Sequence, residues 1–422
     1  MNGHCVYLLN DAFPPIIDGV SNAVENYASE LYGFGDSPVV LTPKMGKTDD
    51  SIYPYPVVRY PSIDQTKRIG YYVGVPLSSK ISKITLQSPP SILHAHCPAI
   101  SLFLARSIRV QKKAPLIFTY HSKYDVNIRE AIRGKFIQNA VIRAMVETIA
   151  AADEVWAVSK GAGESLKSLG YKGDYVVMEN GVDVPKGRAD ERTIAELRQK
   201  YALPEHVPVF LFVGRMEWYK NQRIILDALK KLKATGRPFR MLFVGKGTEM
   251  EEIRAYAGEL GLGDDTVFTG AVTDRELLRA YYSVADLFLF PSVYDTNGLV
   301  VREAAASSLP SVLVKGSCAA ENTVDGRNAF LIDENADSLY AMLDRLYDKR
   351  DEIREVGENA ADDLYISWHD SVSRAKERYG IVEEAYLQGK YSKRKAKDQT
   401  LEMRRRIIEF FDNDGHEGKD AP

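Results

Sequence analysis

Residues 291–310 read PSVYDTNGLVVREAAASSLP. The stretch sets a carboxylate at Asp295, a polar turn Thr296-Asn297-Gly298, an apolar run through Leu299 and Val300, and a second carboxylate at Glu303. Just before it, DLFLFP at 286–291 reads as a buried strand. A helix beginning near Leu299 would leave its first N–H groups unpaired at the Gly298 turn, which makes an anion site. Glu303 falls about one turn into that helix, so its carboxylate can reach back toward whatever the N-terminus holds. Carboxylates accept hydrogen bonds from hydroxyls, so a polyol bearing a phosphate suits the pair. The plain alternative is a strand-to-helix turn of any α/β protein, with the acids favouring the helix macrodipole.

Composition narrows the field. At 422 residues, 45% hydrophobic and 27% charged, the chain suits a globular protein of two or three domains. A formal net charge of −3 provides no bulk attraction for nucleic acid, so no nucleic-acid partner is expected. Cys5, Cys97 and Cys318 are far apart and form neither a disulfide framework nor a metal-ligand spacing, which points to a reducing compartment and no metal. The start, MNGHCVYLLNDAFPP, has no basic leader followed by a long apolar core, and no run reaches membrane-spanning length. The expectation is a cytoplasmic protein, or one peripheral at the inner face of a membrane.

Taken in order, the chain alternates short apolar runs with helical stripes. Strand candidates at 5–9, 39–41, 57–58, 92–95 and 116–120 end in polar or glycine-bearing loops, and Gly19, His96 and His121 fall at such ends. That pattern predicts a doubly wound parallel sheet, whose ligands sit at the carboxyl ends of the strands. Residues 127–152 read as one long basic amphipathic helix, either a solvated face or a membrane-facing one. Asn180-Gly181 makes a tight turn, and the polar stretch 186–192 is expected to link two domains. A second α/β run starts at 207–213, reaching Gly214-Arg215 and Lys220, and a strand at 241–244 ends in Gly245-Lys246-Gly247. That GxG lacks the third glycine of the dinucleotide fingerprint, so NAD is not expected. Beyond Trp368 the chain is helical, then basic at Lys393, Arg394, Lys395, Lys397 and Arg404 to Arg406.

Joined in order, these residues resemble the retaining GT-B glycosyltransferases of the GT4, or group-1, family. Asp295 and Glu303 match that family's E-x7-E spacing around Gly298, with Asp in place of the usual first Glu and Asn297 in place of a common aromatic. Gly214-Arg215 with Lys220 resembles its diphosphate-binding pair, and Asn180-Gly181-Val182-Asp183 its turn before the linker. The likeness spans about residues 4–385. The stretches 14–21 and 120–124 look most like a branch that glycosylates lipids such as diacylglycerol.

The resemblance implies two Rossmann-like domains facing a central cleft: 1–183 for the acceptor, 184–365 for the donor, 366–390 as a helix returning to the first domain, and 391–422 as a basic tail. It implies transfer of a hexose from a nucleotide-diphosphate sugar, UDP-linked, to a lipid or glycan-precursor hydroxyl, with no metal and no cofactor. His121, Asp295, Arg215 and Lys220 would be catalytic. Gly19, Val272, Asn297, Gly298, Leu299, Val300 and Glu303 would bind the donor, and Tyr124 and His96 would lie on the acceptor side. The basic helix and tail suggest contact with an anionic membrane. Competing readings are a nucleotide-sugar epimerase and a non-catalytic sugar-nucleotide sensor.

Overall fold

In the computed structural model, which describes residues 3–16, 18–65, 71–76 and 78–391, the apolar runs close into two separate parallel sheets. The basic tail from Lys393 onward lies outside the described residues. The chain divides into two units, one formed by Met1–Glu179 with the chain from Ser371 on, the other by Asn180–Asp370.

In the first unit the strands are β1 (Cys5–Leu9), β2 (Ser37–Pro43), β3 (Val57–Tyr60), an antiparallel pair β4 (Ser62–Gln65) and β5 (Tyr71–Gly74), then β6 (Ile92–Ala95), β7 (Leu116–Tyr120), β8 (Glu154–Ala157) and β9 (Val176–Val177). The parallel sheet runs β3-β2-β1-β6-β7-β8-β9. β1, β6 and β7 are apolar almost throughout because helices cover both faces of such a sheet. The strand order reverses between β1 and β6, so their carboxyl ends flank a crevice. A buried ion pair staples the opposite edge. Arg109 Nη2 meets Asp153 Oδ1 at 3.0 Å, and the other carboxylate oxygen accepts the Leu116 N–H at 2.9 Å.

The 127–152 segment is not one helix. It breaks into Tyr124–Ala131 and Lys135–Ile149 around Gly134, whose φ of 98° is left-handed and favours glycine. The C-terminal helix, Trp368–Leu387, belongs to the first unit from Ser371 on, where Arg378 pairs with Glu154 at 2.6 Å and Tyr379 is fully buried.

The second unit contains β10 (Val209–Val213), β11 (Arg240–Val244), β12 (Thr266–Gly270), β13 (Leu287–Phe290), β14 (Ser311–Val314) and β15 (Phe330–Ile332) in the order β12-β11-β10-β13-β14-β15. Here the order reverses between β10 and β13. The segment expected to link domains instead packs on this unit. Lys186 pairs with Asp362 at 2.7 Å, the Gly187 N–H donates to Ala306 O at 2.7 Å, and the Ala189 N–H donates to Ser283 Oγ at 2.8 Å. The boundary therefore falls at Glu179, ahead of the expected 183, because Val182 bridges to Ser367 and Asp183 pairs with Arg275 at 2.7 Å.

Candidate functional site

The second unit gathers most of the expected residues at the carboxyl ends of β10, β12 and β13, the edge where the strand order reverses. Gly214 and Arg215 follow β10 directly, Val272 follows β12, and Pro291 to Asn297 follow β13. Glycines let two of these loops touch. A Cβ on Gly245 would sit 1.9 Å from Gly214 O, and one on Gly247 would sit 2.2 Å from Met216 O. The GxG after β11 is thus a packing device.

Lys220 ends a 3-10 turn, Trp218–Lys220, and its Nζ forms a salt bridge with Asp295 Oδ2. Asn221, in left-handed conformation at φ 64°, ties this turn to the end of β13 through Nδ2 to Pro291 O at 2.8 Å. Two of the four catalytic expectations, Lys220 and Asp295, therefore neutralise each other. Arg215 is exposed, while its own carbonyl is held by Gln222 Nε2 at 2.8 Å. Tyr219 and Tyr294 set two partly exposed rings 5.0 Å apart beside the ion pair, an aromatic lip that no spacing in the sequence announced.

The helix predicted from residue 299 is Leu299–Ala306. Its N-cap is Gly298 at φ 59°, and no side chain caps it, so the first-turn amides of Leu299 and Val300 have no acceptor within the helix. A Cβ on Gly298 would lie 3.0 Å from Ala319 Cα, so the turn needs glycine for space as well as for conformation. Asn297 has both amide atoms buried without a hydrogen-bond partner, which is costly in a finished site and suits one awaiting a ligand.

Glu303 is half-buried, and desolvation raises its pKa above the ordinary glutamate value. The Tyr282 hydroxyl donates to its Oε2 at 2.7 Å, and Arg275, itself paired with Asp183, lies near enough to favour the carboxylate. Tyr282 and Arg275 were missed in the sequence. Their only signal is a helix-period stripe in 275–284 that also fits an ordinary core helix.

The first unit holds Gly19, His96, His121 and Tyr124, and here two expectations are corrected. The helix Gly19–Gly33 does not offer a bare N-terminus, because Asp18 Oδ1 already accepts the Val20 and Ser21 N–H groups at 2.9 and 2.8 Å. A carboxylate where a phosphate was expected weakens Gly19 as a phosphate site. His96 is fully buried and cannot present itself to an acceptor. Its Nδ1 bonds His121 Nε2 at 2.9 Å, and its ring stacks on that of His121 with centroids 5.1 Å apart. His94 lies behind it, bonded to the Tyr379 hydroxyl at 2.7 Å and to Thr119 Oγ1 at 2.6 Å. Burial holds all three rings neutral, His121 down to about 3. The Tyr124 hydroxyl turns inward and donates to His96 O at 3.1 Å.

Comparison with known proteins fits this arrangement. The family model described as "Glycosyltransferase Family 4" matches residues 17–186, and the one described as "Glycosyl transferases group 1" matches residues 193–363. The chain is 24% identical to an alpha-monoglucosyldiacylglycerol synthase of Streptococcus pneumoniae, over 72% of this chain and 70% of that one. It is 25% identical to a GDP-mannose-dependent alpha-mannosyltransferase of Corynebacterium glutamicum, over 78% of this chain and 76% of that one. Among solved structures it is similar to Anabaena Alr3699/HepE in complex with UDP, with a TM-score of 0.72 and 18% identity over 89% of this chain and 100% of that one, a likeness of fold.

Proposed function

The chain belongs to the group-1, family-4 glycosyltransferases, enzymes here on the GT-B fold of two Rossmann-like domains, and from that premise we propose a specific reaction. It transfers a hexose from a nucleotide-diphosphate sugar, UDP-linked, to a hydroxyl of a lipid or glycan precursor, with retention at the anomeric carbon and without a metal. One observation carries the reading. Two cations, an uncapped helix N-terminus and a half-buried, oriented carboxylate share the switch-point edge of one sheet.

Each part has a task. As the bond from the anomeric carbon to the diphosphate oxygen breaks, negative charge grows on the leaving group, and stabilising it is the largest share of catalysis. Arg215, Lys220 and the Leu299 and Val300 amides supply the countercharge. Lys220 is free to do so once its Asp295 partner turns to sugar hydroxyls. Glu303 accepts the ribose hydroxyls, and Val272 borders the base. The acceptor oxygen forms the new bond on the face the diphosphate leaves, and its proton passes to a phosphate oxygen. A neutral His121 offers a hydrogen bond to a sugar hydroxyl.

A lipid acceptor fits the surface of the helix Lys135–Ile149. Phe136 is 88% exposed and Ile137 54%, between exposed Arg133, Lys135 and Arg143, as on helices that rest in the headgroup region. The relative from S. pneumoniae is named for a glycosyldiacylglycerol, which supports diacylglycerol as the first acceptor to try.

The test is incubation with UDP-glucose, UDP-galactose or GDP-mannose and liposomes containing diacylglycerol, with and without EDTA. Glycolipid formation from a UDP-sugar that survives EDTA is expected. Transfer from GDP-mannose alone would overturn the donor assignment, and loss with EDTA would overturn the metal-free mechanism. Flotation of Phe136→Ser/Ile137→Ser with anionic liposomes should fall well below wild type, and equal flotation would remove the helix from the account.

A further inference from the structure

A cavity lies in the second unit at the other end of the same strands. It has a volume of about 210 Å³ and is bordered by Pro208 and Phe210 at the start of β10, Asp286 and Leu287 at the start of β13, and Leu309 and Pro310 just before β14. Gly214 and Pro291 lie at the opposite ends of β10 and β13, so the cavity is separate from the donor-binding edge.

Its two halves have opposite character. The floor is apolar, formed by Phe210, Leu287, Leu309, Leu343 and Leu346, all essentially inaccessible to solvent. The rim is cationic, from Arg188, Arg350 and Arg354. Two of these guanidiniums have ion-pair partners at the solvent-exposed surface, and one has none among the described residues. Arg188 reaches Glu191 only at 3.9 Å, Arg354 pairs with a highly exposed Asp351, and Arg350 makes no ion pair among the described residues. A further acid, Asp286, faces them from the cavity wall, its carboxylate already accepting the Val209 N–H at 2.8 Å, with Arg198 also in its field. Arg350 is thus the rim cation without an ion-pair partner among the described residues, while Arg188 and Arg354 are held only by solvent-facing acids.

A further observation points to a missing partner. Ser307, on the cavity wall, is only 3% exposed, and its Oγ is buried with no hydrogen-bond partner. A buried hydroxyl without a partner is uncommon in a native fold. Beside it Ser308, a non-glycine residue, holds a left-handed φ of 54°, and its carbonyl lies against Gly357, where a Cβ would come within 2.1 Å. The backbone is thus kept in a costly conformation at the wall of the cavity.

We propose that this cavity binds a small organic anion, with a phosphate or carboxylate head on the Arg350 and Arg354 rim and a compact apolar body on the leucine floor. Size and chemistry set the class. A volume of about 210 Å³ corresponds to roughly seven waters at about 30 Å³ each, the scale of one ring with an acidic head. The leucine floor offers nothing to a sugar's hydroxyls, and the arginines select against a neutral ligand. The helix Leu299–Ala306 joins the two sites: Gly298 at its start borders the donor edge, and Ser307 at its end borders this cavity.

The experiment is calorimetric titration of the full chain with phenyl phosphate, benzoate, inorganic phosphate and benzyl alcohol. Phenyl phosphate or benzoate should bind at least tenfold more tightly than inorganic phosphate, and benzyl alcohol should not bind measurably. Arg350→Ala/Arg354→Ala should weaken binding tenfold or more, while Arg215→Ala/Lys220→Ala should leave it intact. Should the first double variant melt early, Arg354→Ala alone serves, since its ion-pair partner is the exposed Asp351. Equal binding by the rim variant, loss of binding in the donor-edge variant, or equal affinity for benzyl alcohol would each overturn the proposal.

Discussion

Replacing Tyr282 with phenylalanine probes the least visible part of the donor edge. The hydroxyl donates to Glu303 Oε2 at 2.7 Å, the tyrosine is buried and the carboxylate half-buried, and nothing else on Tyr282 changes, so the variant keeps its packing. A hydrogen bond to a charged group contributes about 1.5–3 kcal/mol, and its loss leaves a half-buried carboxylate short of a donor. For a unit of this size that corresponds to a fall in melting temperature of about 3–12 °C. The pH dependence follows from Glu303. Its folded pKa is raised above 4.5, so its contribution to stability is fully present below that value and is lost as pH rises through the folded pKa. Removing the hydroxyl, which favours the ionised form, raises the folded pKa further. The deficit of Tyr282→Phe should therefore be small in acid and grow toward neutral pH, and the donor KM should rise roughly 10- to 150-fold. Differential scanning calorimetry across pH 4 to 8 and donor kinetics read both effects. A deficit that is the same at every pH, or an unchanged KM, would refute the assignment of Glu303 as the half-buried, oriented carboxylate.

Three further perturbations test neighbouring parts. Lys220→Ala should cut kcat/KM by about 100- to 1,000-fold, since it removes a donor to the growing leaving-group charge, and steady-state kinetics with the preferred donor measures it. Gly298→Ala forces an L side chain to φ 59° with its Cβ 3.0 Å from Ala319 Cα, so thermal melting should show a loss of about 1–2 kcal/mol or more. His121, whose pKa burial lowers to about 3, gives stability that is present above 6.5 and lost as pH falls toward 3. His121→Gln should remove about 1.4 kcal/mol per pH unit of that acid slope, visible as a shallower fall of melting temperature between pH 6 and pH 4.

The strand ends were legible because a strand buried on both faces must be an apolar run and must stop where polar loops begin. That logic located Arg215, Lys220, Asp295 and Glu303 on one edge, and Gly298 as the cap of the helix between the two acids. The partners were not legible, since they depend on contacts with no fixed spacing. Lys220 and Asp295 are 75 residues apart and meet only because β10 and β13 are neighbours. Tyr282 looks like a core tyrosine until its hydroxyl is seen on Glu303. His96 and Gly19 misled for a related reason. Both lie at strand ends, but His121 covers one and Asp18 caps the helix at the other. The single helix expected at 127–152 failed because a helix-period stripe continues across Gly134, while the left-handed backbone there does not.

The measurement that bears most directly on the donor site is titration of UDP and GDP into the wild-type protein and Arg215→Ala/Lys220→Ala. A nucleoside diphosphate should bind the wild type, with UDP preferred, and lose at least a hundredfold in affinity in the double variant while the melting temperature of the unliganded protein stays close to wild type. Failure of both nucleotides to bind, or equal binding by the double variant, would contradict the claim that this strand-end edge holds the donor diphosphate.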